Sequence, residues 1–257
     1  MGILNITPDS FYSGSRHQQL SNILLKADQM ICEGARFLDV GGYSSRPGAI
    51  DISEKEEIDR VLEPIATIRD RFPDVILSID TFRAGVAKAA IESGANIVND
   101  ISAGNLDDRM LSEVSKMQVP YIAMHMKGTP QTMKEQANYS DIVKEISGYF
   151  SERVSKARNE GIKDIIIDPG FGFAKTAEQN FYLLNRVEYL KHLGLPILIG
   201  ISRKSMIYKT LNIDPEDALN GTTVLNTLAL LKGASILRVH DVKEAVEAVE
   251  LVNQLTI

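Results

Sequence analysis

Apolar runs along this sequence end, one after another, on residues able to bind or react. They are Asn5, Asp39, Asp80, Asn99 with Asp100, His125, Asp168, Ser202 to Lys204, and Arg238 with His240. Asp80, Asn99, Asp100 and Asp168 form one chemical subset, suited to a heterocycle with an amide edge and an amino-imine edge. A carboxylate accepts two N–H groups side by side, and an asparagine amide supplies one donor and one acceptor. Asp100 reads equally well as a helix or loop cap. The second subset, Arg46, Lys204, Arg238 and His240, is cationic. In a chain of net charge −6, such a cluster points to a phosphorylated substrate or a phosphate leaving group. Ser202-Arg203-Lys204-Ser205 follows an apolar run and opens a short helix, where free N–H groups suit an anion and Ser205 can hold a carboxylate. Arg238-Val239-His240 alternates, which sends both polar side chains to one face of a strand.

The elements that must position these groups repeat in a regular way. Strands are expected at Gly2–Ile6, Phe37–Gly41, Val75–Asp80, Asn96–Asp100, Tyr121–His125, Ile165–Asp168, Ile197–Gly200 and Ile236–His240. Their continuous Ile, Val and Leu content suits parallel strands covered on both sides. The helices between them carry start signals: capping boxes at Ser53 with Glu56 and Thr176 with Gln179, and Asp214 before Pro215. Glycines at Gly34, Gly94, Gly161 and Gly194 read as helix stops. Eight strands, each followed by a helix, predict a (β/α)8 barrel forming a single domain over residues 1–257. Alternation alone also fits an open, doubly wound sheet. In a barrel all eight carboxyl ends open on one face, so the strand-end groups converge on one mouth.

Two loops stand out, Thr7 to Arg16 and Gly41 to Gly48. Their glycine, serine and proline content reads as mobile lids or as plain surface turns. The glycines of Asp168-Pro169-Gly170-Phe171-Gly172-Phe173 let backbone and Phe173 approach a flat ligand. The acidic balance argues against nucleic acid and anionic membrane as partners. The apolar stretch around Leu225 to Leu231 is too short to span a bilayer. The start lacks a basic n-region, so a cytoplasmic location is expected, and the core-strand character of the first residues suggests a segment upstream. Cys32 is the single cysteine, which excludes an internal disulfide; its apolar neighbours Met30 and Ile31 predict a buried, inert thiol.

The ordered motifs resemble the dihydropteroate synthase family closely. Met1-Gly2-Ile3-Leu4-Asn5-Ile6-Thr7-Pro8-Asp9-Ser10-Phe11 is similar to its first signature, and Asp39-Val40-Gly41-Gly42 through Ser45-Arg46-Pro47-Gly48 to its second. Asp80-Thr81, Asn99-Asp100, Met124-His125-Met126, the Asp168–Phe173 run, Ser202–Ser205 and Arg238-Val239-His240-Asp241 follow in family order across the whole chain. The resemblance implies a reaction of dihydropterin pyrophosphate with p-aminobenzoate that releases pyrophosphate. By the same resemblance, Asp80, Asn99, Asp168 and Lys204 bind the pterin, flanked by Met124 and Phe173. Arg238, His240 and Asn5 hold pyrophosphate, with Asn5 contributing to a Mg2+ site. Phe11, Ser45, Arg46, Pro47 and Ser205 shape the p-aminobenzoate pocket, and the protein is a homodimer. Asp80, Asp168, Lys204, Arg238 and His240 are the catalytic candidates. Ser13, Tyr43, Ser45 and Arg83 depart from the expected pattern; an acid is usual at Ser13, and its loss removes an ion pair with Arg46. A methyltransferase on the same barrel, or a silent pterin-binding protein, are the rival readings.

Overall fold

Each short apolar run becomes a strand, and the amphipathic stretch after it becomes the helix that covers it. The computed structural model describes residues 1–6, 16–44 and 51–255. The strands are β1 (Gly2–Asn5), β2 (Phe37–Gly41), β3 (Ile76–Asp80), β4 (Ile97–Asp100), β5 (Tyr121–Met124), β6 (Ile165–Asp168), β7 (Leu198–Ile199) and β8 (Ile236–Leu237). The first six pair in parallel in chain order, and β7 pairs in parallel with β8. Bridges Ile167–Ile197 and Gly2–Val239 join the two pieces on both sides. The ring therefore closes, which decides for the barrel over the open sheet. The seventh and eighth strands are shorter than the apolar runs suggested. Beyond Ile199 and Leu237 the chain turns its polar groups to other partners.

Around the ring lie α1 (Arg16–Cys32), α2 (Glu54–Arg71), α3 (Ala84–Glu92), α4 (Met110–Met117), α5 (Ile142–Asn159), α6 (Ala177–Leu184), α7 (Ser205–Leu211), α8 (Leu219–Leu231) and α9 (Val242–Leu255). Several starts follow the sequence signals. Ser53 accepts the Glu56 N–H, and Thr176 with Gln179 forms the full reciprocal box. Asp214-Pro215 instead opens a short 3-10 turn, Pro215–Asp217, and α8 begins four residues after the proline. The thiol of Cys32 is exposed, contrary to expectation. Ile23, Ala27 and Met30 are the buried positions of α1, and Cys32 lies two residues, or about 200°, beyond Met30 on the opposite side of the helix.

Strand alternation builds two apolar layers. Leu4, Leu38, Leu77, Val98, Ile167 and Ile199 point outward and pack under the helices. Ile97, Ile122 and Leu198, with Phe37, Ile76 and Ile236 against them, fill the lower interior of the barrel. A cavity of roughly 650 Å3, lined by Phe37, Ile76, Ile97 and Ile166, opens at the amino-terminal ends of the strands. It lies below this inner layer and has no part in the strand-end chemistry. No helix among the described residues is long and apolar enough to cross a membrane.

The same alternation separates Asn99 from Asp100. Asn99 points into the barrel, so Asp100 faces the helix layer. There its Oδ1 accepts from the Ser102 N–H at 2.8 Å and the Ser102 hydroxyl at 2.7 Å. Its Oδ2 accepts from the Gly104 N–H at 2.6 Å and the Tyr121 hydroxyl at 2.7 Å. Both oxygens are consumed within the protein, so Asp100 caps the loop after β4 and is not a ligand of the mouth. Removing it strands several buried donors, each worth about 1–3 kcal/mol. Asp100→Ala is accordingly expected to lose more than about 2 kcal/mol of stability in urea unfolding; a variant as stable as the parent contradicts the cap.

Candidate active site

The floor of the mouth is built around one guanidinium. Arg238 donates from Nε to Asp39 Oδ2 and from Nη2 to Asp80 Oδ2, both at 2.6 Å. Asn99 Nδ2 donates to the same Asp39 oxygen at 3.0 Å. Asp39 is fully buried, and its Oδ1 has no hydrogen-bond partner among the described residues. Its charge therefore rests almost entirely on Arg238. Burial opposes the Arg238 charge, but Asp39 and Asp80 outweigh it and drive its pKa up. Burial pushes the Asp80 carboxyl up, against the pull of Arg238.

Above this floor two glycines keep the mouth open. Asn5, Gly41 and Asp80 are register partners on β1, β2 and β3. A methyl on Gly41 would fill the space between Asn5 Oδ1, 3.6 Å away, and Asp80 Oδ2, 3.7 Å away. Gly200, after β7, does the same between Arg238 Cβ at 3.8 Å and Asp168 Oδ2 at 3.9 Å. Asp168 closes β6; its Oδ1 accepts the Gly170 N–H at 2.7 Å, and Oδ2 is left for a ligand. Burial raises its pKa, with Lys204 opposing. The Lys204 ammonium donates to the Phe171 carbonyl and lies 4.9 Å from the Phe173 ring centre. Burial lowers Lys204 to about 8, with Asp168 holding it up. Met124 and Phe173 belong to one apolar cluster with Ile101, Met126 and Met133. Carboxylates, amide and ammonium thus face an apolar wall, an arrangement matched to a flat ring with a polar edge.

Beside this lies a group of donors. His240 is two residues beyond Arg238 and on the same face, while Val239 between them is buried in the outer core. Ser202 Oγ accepts the His240 backbone N–H at 3.1 Å and pairs with Nδ1 at 2.9 Å. In the tautomer where the hydroxyl donates to Nδ1, the neutral ring carries its proton on Nε2, which is left as the donor. Burial, reinforced by Arg238, lowers His240 to about 4, so it acts as a neutral hydrogen-bond donor at pH 7. Arg203 is occupied elsewhere, paired with both oxygens of Asp241 at 2.7 and 2.9 Å. Ser205 is the first residue of α7, directly after the pterin candidate Lys204.

The barrel thus brings together Asn5, Asp80, Asn99, Met124, Asp168, Phe173, Lys204, Arg238 and His240. Phe11, Ser45, Arg46, Pro47 and Ser13 lie outside the described residues. His125 does not reach the mouth: it is buried, with Nδ1 3.0 Å from Lys175 Nζ. Two departures from the family pattern, Tyr43 and Arg83, lie against each other. The Arg83 guanidinium is 5.2 Å from the Tyr43 ring centre and 2.6 Å from the buried Glu57 carboxylate. Sequence reasoning gave Asp39 no partner, although its inward parity with Asp80 was available. Breaking a buried ion pair from one side costs about 3–5 kcal/mol. Arg238→Met is expected to lose on the order of 3 kcal/mol in chemical denaturation, and adding Asp39→Asn should recover part of it. A single variant with unchanged midpoint contradicts this account of the floor.

The comparisons agree with this geometry. Residues 1–240 match the family model described as pterin binding enzyme. The dihydropteroate synthase of Escherichia coli (strain K12) is 42% identical over 98% of this chain and 89% of that protein. The Yersinia pestis dihydropteroate synthase, solved as a sulfonamide drug complex, superposes with a TM-score of 0.94 at 40% identity, covering 100% of this chain and 93% of that one. The Xanthomonas albilineans dihydropteroate synthase in complex with 7,8-dihydropteroate gives a TM-score of 0.89 at 34% identity, covering 100% and 92%. With its whole length accounted for by such relatives, and its strand-end groups gathered in one mouth, the chain belongs to the pterin binding enzyme family.

Proposed function

We propose that residues 1–257 form one pterin-binding barrel domain that makes 7,8-dihydropteroate from 6-hydroxymethyl-7,8-dihydropterin pyrophosphate and p-aminobenzoate. The observation that carries this reading is the grouping of Asp80, Asn99, Asp168 and Lys204 opposite Met124 and Phe173. Asp168 Oδ2 accepts from the amino-imine edge of the pterin, Asn99 offers an amide to match, and Lys204 donates to the carbonyl side. Phe173 and Met124 cover the ring faces.

In the reaction the bond from the CH2 carbon to the pyrophosphate oxygen breaks, and the aromatic amine forms the new C–N bond and loses a proton. The electron-rich dihydropterin supports positive charge on the CH2 carbon, and the carboxylates of Asp80 and Asp168 favour that charge. His240 Nε2–H and the Arg238 nitrogen not engaged by Asp39 or Asp80 take the leaving oxygens. The side-chain amide oxygen of Asn5 would be a protein ligand for a Mg2+ ion, which takes oxygen ligands and is commonly held by few protein groups beside substrate phosphate. When bound, that ion would neutralise charge on pyrophosphate. We assign the carboxylate of p-aminobenzoate to Ser205 at the start of α7, and the rest of its pocket to Phe11, Ser45, Arg46 and Pro47. Sulfonamides, which resemble p-aminobenzoate, are expected to compete there.

The pyrophosphate released on mixing both substrates tests the assignment. Release should require both substrates and Mg2+, stop with chelator and return with added Mg2+. Asp168→Asn should weaken pterin binding at least about tenfold, roughly 1.4 kcal/mol, because a second acceptor is exchanged for an unwanted donor. Pterin binding without pyrophosphate release would identify a silent pterin-binding protein instead.

A homodimer is the assembly we favour, and α8 supplies its support. Val224, Leu228 and Leu231 recur at helical spacing and are 43–52% exposed, and Leu211 of α7 packs beside them over Gly221. A continuous apolar stripe of this kind is a common mark of a self-association face. Light scattering should give twice the chain mass for the native protein and a shift to monomer for Leu228→Glu. Monomeric native protein at micromolar concentration removes the proposal.

A further inference from the structure

The loop after β6 carries Phe173, and its shape depends on a lysine that the proposed chemistry does not use. Lys175 Nζ is 2.8 Å from the Gly170 carbonyl oxygen, 3.0 Å from the Phe173 carbonyl oxygen and 3.0 Å from His125 Nδ1. Burial lowers the Lys175 pKa well below the usual lysine value, with Asp168 holding it up; in its protonated form the three N–H donors match these three acceptors, one each. The loop has little freedom to satisfy them otherwise. Gly170 has φ of +70°, and a Cβ there would collide with the His125 carbonyl oxygen. The Phe173 N–H already bonds the Gly170 carbonyl at 3.1 Å, and the His125 N–H bonds the Asp168 carbonyl at 2.9 Å. Lys175 therefore ties the end of β5 to the turn beyond β6, beneath the aromatic ring.

We infer that Lys175 is a positioning residue for the pterin site, holding the backbone that aims Phe173 and Asp168 and locking His125 as the Nε2–H tautomer. The inference rests on reading Phe173 as a wall of the pterin pocket. His125 has no alternative partner at Nδ1. Its ring packs edge-on against Tyr149 at 4.8 Å and near Tyr139 at 6.1 Å. Burial, reinforced by Lys175 and Lys127, pulls its pKa down. A proton on Nδ1 would point at the ammonium, so His125 stays neutral and serves as an acceptor. Truncating Lys175 leaves the Phe173 carbonyl and one ring nitrogen without their donor and the Gly170 carbonyl with the Phe173 N–H alone, and the Gly170–Phe173 turn is free to drift by more than ring stacking tolerates.

The test is a pterin titration of Lys175→Met, Phe173→Leu and the double variant, each checked for native circular dichroism, beside nitrogen-15 NMR of His125 in the unmodified protein. Lys175→Met should weaken pterin about tenfold and leave the KM of p-aminobenzoate unchanged. In the Phe173→Leu background the same change should cost clearly less than in the parent, because part of its effect runs through the Phe173 ring. His125 should show a protonated Nε2, an unprotonated Nδ1 and no titration between about pH 5 and 8. Equal pterin affinity in Lys175→Met, full additivity with Phe173→Leu, or a proton on His125 Nδ1 overturns the inference. The NMR outcome decides even where the variant does not fold. Failure of the unmodified protein to bind pterin overturns the functional reading instead and is seen before any variant is made.

Discussion

The interior of this barrel depends on a cation shared between two carboxylates. Arg238 on the last strand's extension reaches Asp39 on β2 and Asp80 on β3, each at 2.6 Å. A fully buried Asp39 would be prohibitively unfavourable without a counter-charge, so the guanidinium has a structural duty before it has a chemical one. It also fixes the Asp80 carboxylate from below and leaves one nitrogen for an incoming anion. Floor and binding groups are thus the same residues, and stability and function are coupled at this point.

Above that floor, charge is managed by burial. Asp80 and Asp168 are raised by desolvation and held back by Arg238 and Lys204 respectively, while Lys204 is drawn down to about 8. Groups so poised respond strongly to a ligand that replaces water, because each electrostatic contact gains strength in a drier site. The neutral His240, depressed to about 4 by burial and Arg238, adds a donor without adding a further charge to desolvate. The mouth can therefore receive a neutral ring on one side and an anion on the other within a chain of net charge −6.

The loops show a division between aiming and touching. Asp168 and Phe173 touch the proposed ligand, yet Gly170 and Lys175 decide where they point. Arg83 has a similar place beside the second loop, where it pairs with buried Glu57 and stacks near Tyr43. At these two positions, which depart from the family pattern, a cation thus lies against an aromatic face and a buried acid.

Much of this was legible in the residues themselves. Apolar runs of strand length, glycine stops and the Thr176 box fixed the order of elements, since those signals act over a few residues. Strand-end polarity named Asp80, Asn99, Asp168, Lys204, Arg238 and His240, because a parallel barrel gathers every carboxyl end on one face. What the sequence could not decide is which of two neighbouring polar residues faces inward and what it meets there. Asp100 looked as chemical as Asn99 and turned out to be a cap. Cys32 looked buried and is exposed. His125 was expected at the mouth and instead pairs with Lys175, fifty residues away. Closure of the ring and the Asp39–Arg238 pair, 199 residues apart, are likewise tertiary facts. Local pattern determines what each element is, because period and capping are short-range. Only packing determines its partners, because burial of a charge is settled by whatever counter-charge the fold brings from elsewhere.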